Sequence, residues 1–172
     1  MRKVAVVPPD RNWQSMFETE SQQLSLAFDD NASAIHHIGS TSINTIYAKP
    51  IIDILVEVKD LARVDDRNTD IAALGYVAMG ELGIGGRRFF RKDNEVGIRT
   101  HHVHTFETGS PQIDRHLAFR DYLRSHPEAA QAYSQLKQQL AQKYPSDIES
   151  YMDGKAEFIQ EIDRKAAVWR SK

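Results

Sequence analysis

The stretch that most limits how this chain can fold is Ile51-Ile52-Asp53-Ile54-Leu55-Val56-Glu57-Val58. A near-continuous apolar run with β-branched residues predicts a strand buried on both faces. Asp53 interrupts it. Aspartate is depleted in strands and seldom buried without a partner, so this one needs a cation, a hydrogen-bond donor or a chemical task. Upstream, Ala34 to Ile38 reads as a short strand that leaves through His37-Ile38-Gly39-Ser40-Thr41-Ser42. Gly39 suits a turn that lets an anion approach backbone amides. The hydroxyls of Ser40, Thr41 and Ser42 add donors, and amides at a helix start favour negative charge.

The rest of the chain divides near residue 108. Asp10 is placed to cap a first helix with Trp13, Phe17, Leu24 and Phe28 on its apolar stripe. Leu61 to Leu74 reads as one helix ending at Gly75, and Tyr76 to Met79 as a strand. The glycine-rich segment 80–86 reads as a loop. Strands over 87–92 and 96–106 then flank a turn at Asp93-Asn94. Beyond it, Ser110 and Pro111 start a helix to about Ser125, and Pro127 starts another to about Lys143. Ser146 and Glu149 form a capping box for a last helix. This predicts an α+β chain, an α/β half over about 1–108 and a helical half over about 109–172, organised as one domain of 172 residues.

The string HIGSTS…AKPIIDILVEV resembles the GrpB family, a branch of the nucleotidyltransferase fold. His102-Val103-His104, Phe119 to Arg124, Tyr133 to Lys137 and Tyr151 to Lys155 match it as well. The resemblance runs from about Val7 to Ala167. It implies a nucleotidyltransferase-like mixed sheet flanked by helices. In that fold the Gly-Ser turn offers amides to a triphosphate, and the strand carboxylate, Asp53, holds a divalent metal. The fold normally carries a second carboxylate two residues on, where this chain has Leu55. Glu57 shares the face of Asp53 and is the remaining acidic candidate. Some GrpB-like domains are fused to dephospho-CoA kinase, which implies a link to coenzyme A metabolism.

Other residue types extend the candidate site. His102 and His104 alternate along one strand, so both rings leave from one face. With His37 and Asp53 they make a donor set that suits zinc, manganese or iron rather than a dedicated magnesium site; for the site as a whole the expected cofactor is a divalent metal, magnesium or manganese, with zinc a further candidate. Arg87, Arg88, Arg91 and Arg99 surround the glycine loop and the following turn, and Arg88 is the one assigned to phosphate. Tyr133 with Lys137, and Tyr151 with Lys155, stand four apart on helices, each pair on one face. Lys49 precedes the Asp53 strand. Packed side by side, the two helices present ammonium and phenol groups for phosphates and base.

Three readings follow. In the first, the chain binds a nucleoside triphosphate or another phosphorylated small molecule with a divalent metal, and transfers a nucleotidyl group to a small acceptor. In the second, it is a non-catalytic nucleotide or metabolite-binding module. In the third, it is a His/Asp metal-dependent phosphoesterase. A net charge of −2 and no basic run with interleaved aromatics argue against nucleic acid. No apolar stretch reaches membrane-spanning length. The absence of cysteine excludes a thiolate site and fits a reducing, cytoplasmic setting.

Overall fold

The computed structural model describes residues 3–172. Five strands, β1 (Ala32–Ile38), β2 (Ile52–Val58), β3 (Tyr76–Ala78), β4 (Arg87–Asp93) and β5 (Arg99–Glu107), form one mixed sheet in the order β1-β2-β5-β4-β3. β2 and β5 are parallel, and the remaining neighbours are antiparallel. This is the α+β mixed sheet flanked by helices expected from the sequence. Among the described residues six α-helices accompany it: α1 (Asn12–Phe28), α2 (Leu61–Asp65), α3 (Asn68–Ala72), α4 (Pro111–Ser125), α5 (Pro127–Lys143) and α6 (Ile148–Arg170). Among the described residues, no helix is long and apolar enough to cross a membrane.

The two faces of the sheet do different work. Ile52, Ile54, Val56 and Val58 of β2 join Val103 and Phe90 in a core with Trp13, Leu24 and Phe28 of α1. The opposite face carries Ile38, Leu55 and Phe106, which pack with Ile113 of α4. Leu55 is fully buried there. The position where a second carboxylate was expected is therefore a core position, and a charge at it would lie in an apolar cluster.

Some local readings need correction. The helix expected over 61–74 is two short helices, α2 and α3, although no glycine or proline separates them. Asp147, not Ser146, caps α6, accepting a hydrogen bond from the Ser150 amide at 3.1 Å. The last strand begins at Arg99 rather than Val96, because Asn94 Oδ1 gathers the amides of Val96 and Ile98 into a wider turn. The Ser110 cap of α4 is present as expected.

α5 and α6 pack unusually near each other at one point. A Cβ on Gly154 of α6 would lie 2.5 Å from Leu140 Cδ2 of α5. Only a residue without a side chain lets the helices approach this far. That approach sets the spacing of the lysines that both helices carry.

Candidate functional site

Register brings the site together. In the β2–β5 ladder Asp53 stands opposite His102, and Leu55 opposite His104. All project from the same face, because β2 and β5 both alternate with period 2. Oδ1 of Asp53 lies 3.2 Å from Nε2 of His104 and 3.4 Å from Nδ1 of His102. Phe89 packs against both imidazoles. Burial alone would raise the Asp53 carboxyl, but the N–H groups of His102 and His104 outweigh it and hold the carboxyl far below the usual carboxylate range. Asp53 is consequently a permanent anion and a poor proton acceptor.

Two arginines fix which nitrogen of each ring carries its proton. Arg87 Nη1 lies 3.3 Å from Nδ1 of His104, and Arg99 Nη1 lies 3.3 Å from Nε2 of His102. A guanidinium only donates. Those two ring nitrogens therefore accept, and the nitrogens facing Asp53 bear hydrogen. Arg87 also donates to the carbonyls of Glu81 and Leu82, so it ties the glycine-rich loop to His104. From the sequence these arginines are placed only around the glycine loop and the following turn, with Arg88 alone assigned to phosphate.

This donor set does not fit an imidazole-ligated metal. A ligating imidazole needs a bare nitrogen toward the ion, and here both facing nitrogens carry protons. Moving those protons to the far nitrogens would set N–H against Arg87 and Arg99. Among the described residues, no group of three His, Asp or Glu side chains is placed to hold a metal. The remaining ligand atom that fits a hydrated magnesium or manganese ion is Asp53 Oδ2. Titration with Zn²⁺ alone is expected to leave the ring ¹⁵N resonances of His102 and His104 unmoved. Loss of their N–H signals at one equivalent would refute the arrangement.

Gly39 completes this end. Its backbone is left-handed (φ +72°), and a Cβ there would sit 2.6 Å from Asp53 Oδ2. The turn is held from two sides. Ser42 Oγ donates to the Gly39 carbonyl, and Thr41 Oγ1 to that of Ile51. From α4, Arg120 donates to the His37 carbonyl and Arg124 to that of Ser42. Ser42 thus serves the turn, while Ser40 and Thr41 line a cleft of about 250 Å³ with Asp53.

The far wall of that cleft is helical. Lys137 and Lys155 enter it from α5 and α6, and Lys49 from the segment before β2. Lys137 is 1% exposed and its Nζ has no hydrogen-bond partner; the buried Tyr151 hydroxyl has none either. Nζ of Lys137 lies over the Tyr133 ring at 4.5 Å, and that of Lys155 over the Tyr151 ring at 5.0 Å. Burial, then repulsion from Lys155 and Lys49, lowers Lys137 to about 6. Burial and Lys49 lower Lys155 to about 8, against a smaller opposing pull from Asp53. Burial pushes the Tyr133 phenol up to about 12.

Three expected members lie elsewhere. His37 pairs with Ile54 in the β1–β2 ladder, so it leaves from the face opposite Asp53. It stacks on Phe17 of α1 with ring centroids 4.8 Å apart and bonds Thr41 at 2.9 Å. Burial lowers it to about 4. Glu57 is four residues along β2 from Asp53 and bonds His36 at 2.6 Å. Arg88 makes two hydrogen bonds to Asp65, at 2.8 and 3.2 Å.

Comparison with known proteins agrees with this architecture. YqkA of Bacillus subtilis is 46% identical over 98% of the chain, which spans about half (49%) of that relative's length. The glutamate-rich protein GrpB of Alkalihalophilus pseudofirmus is 37% identical over 93% of the chain and 94% of its own. A crystal structure of the conserved protein GrpB from Enterococcus faecalis superposes with a TM-score of 0.93 at 42% identity, covering 98% of this chain and 100% of that one. The family model described as GrpB protein matches residues 3–165, and the chain belongs to the GrpB family.

Proposed function

We propose that this chain binds a phosphorylated small molecule, a nucleoside polyphosphate foremost, in the cleft between β2–β5 and α5–α6. The observation that carries the reading is Lys137: a buried amine with no hydrogen-bond partner, crowded by two further lysines. Burying like charges together is costly unless an anion joins them. A polyphosphate supplies several charges and acceptor oxygens at once. Lys49, Lys137 and Lys155 would hold it, with the Ser40 and Tyr151 hydroxyls as neutral donors.

A divalent ion arriving with the phosphates would find one protein ligand, Asp53 Oδ2, in keeping with the few protein ligands magnesium usually takes. When bound, it would neutralise charge on the phosphate oxygens. Asp53 is too acidic to take a proton from an acceptor, and Leu55 replaces the second carboxylate. These features favour binding over nucleotidyl transfer.

Calorimetric titration with pyrophosphate and with ATP, GTP, CTP and UTP, each with and without Mg²⁺, tests the reading. Binding is expected, and Lys155→Gln should weaken it about 10- to 100-fold, the worth of one charge-assisted hydrogen bond. Silence from every phosphorylated compound at millimolar concentration would remove the proposal.

A further inference from the structure

Beside the phosphate cleft lies a second cavity of about 430 Å³. Lys49, Ile51 and His102 line both, so the two meet at a shared wall. The second cavity is formed by four segments distant in sequence: the start of the chain at Lys3 and Ala5, the Lys49-Pro50-Ile51 approach to β2, the β4–β5 turn at Gly97 to Arg99 with His102 beyond it, and Ile148 at the start of α6. Its lining is mainly apolar, with cations and no carboxylate. At its rim the β4–β5 turn carries Ile98, 60% exposed. Its neighbour Val96 is 78% exposed. A hairpin tip is ordinarily polar, and apolar side chains exposed together mark a surface that something covers.

Size points the same way. Small-molecule pockets are commonly about 300–1,000 Å³. The phosphate cleft alone, at 250 Å³, falls below that range, and the neighbouring cavity, at 430 Å³, falls within it. Neither cavity alone offers both an apolar seat and the crowded buried amines.

We infer that the ligand is bipartite: a di- or triphosphate in the lysine cleft, joined to an apolar group that passes the Lys49–His102 wall and lies on Ile51, Ile98 and Ile148. This rests on the phosphate reading of the first cleft and adds the chemical class of what the phosphates carry. The apolar group covers the exposed Ile98, and Lys3 and Arg99 keep the rim attractive to the anion as it arrives.

The experiment compares pyrophosphate with methyl, butyl and phenyl diphosphate by calorimetric titration. Each methylene buried is worth roughly threefold or more in affinity, so butyl diphosphate should bind at least tenfold tighter than methyl diphosphate. Ile98→Asn, which removes the apolar contact without adding charge, should cut the butyl-over-methyl affinity ratio at least threefold, and Ile98→Leu should keep that ratio. Pyrophosphate binding with no benefit from butyl or phenyl overturns the bipartite ligand and leaves the phosphate site standing. A butyl-over-methyl ratio that persists in full in Ile98→Asn overturns the assignment to this cavity. Failure of pyrophosphate and of all three organic diphosphates to bind overturns the bipartite ligand, and the phosphate reading falls with it when the nucleoside triphosphates are silent as well.

Discussion

Lys137→Met is expected to stabilise the ligand-free protein while removing its affinity for phosphates. In the unfolded chain the amine keeps its ordinary value of 10.5, whereas in the folded protein burial and the neighbouring lysines lower it to about 6. Below 6 both states are protonated, and folding bears the full cost of a crowded, buried charge. Between 6 and 10.5 the unfolded state binds the extra proton, so stability rises with pH. Above 10.5 both states are neutral and the cost is gone. At roughly 1.4 kcal/mol per pH unit, the upper bound for removing the amine is about 5 kcal/mol at pH 7. Urea denaturation at pH 6.5, 8 and 9.5 should show the wild-type midpoint climbing with pH and the methionine variant starting higher and climbing less. A variant less stable than wild type at pH 7 would contradict this account. The same linkage governs the ligand. A bound polyphosphate restores the charged amine, so binding takes up a proton above pH 6, and affinity falls up to about tenfold per pH unit above that point. Titrations in buffers of different ionisation enthalpy measure the uptake directly.

Gly39→Ala is the second substitution with a large expected effect. The Gly39 backbone (φ +72°, ψ −173°) lies in a region that is nearly glycine's alone, and strain there is on the order of 1–3 kcal/mol. The new methyl would also meet Asp53 Oδ2 at 2.6 Å, so the carboxylate must move off its two imidazole donors. The total expected loss is about 2–4 kcal/mol, with displaced His102 and His104 N–H resonances. Gly97→Ala is the internal control: its φ is +85°, yet a Cβ there meets nothing within 4 Å. It should show the backbone cost of about 1 kcal/mol and leave the histidine signals in place. Equal losses for the two variants would mean that the contact with Asp53 carries no weight.

The features readable from sequence were those set by local period. Asp53 stood out as a lone charge in an apolar strand, and the His102/His104 alternation put both rings on one face. The i, i+4 spacing placed each tyrosine beside its lysine. What escaped depended on register between strands. Whether His36 or His37 shares the face of Asp53 turns on how β1 pairs with β2, and no residue in β1 announces it. Arg87 reaches His104 through the β4–β5 pairing, and Arg99 reaches His102 three residues along its own strand. Leu55 was visible as a departure, but its burial with Phe106 and Ile113 was needed to show that the position is core. The second cavity is a junction of four distant segments, and no sequence window contains it.

Gly154 has a consequence for selectivity. The gap between the Lys137 and Lys155 amines is set by how near α6 comes to Leu140, and an absent side chain fixes that distance. Alanine or serine at Gly154 would lever the helices apart and widen the space between the two amines proposed to hold the anion. Relatives could thus be tuned from a compact diphosphate to a longer or bulkier anion by stand-off alone, with every residue that touches the ligand left as it is.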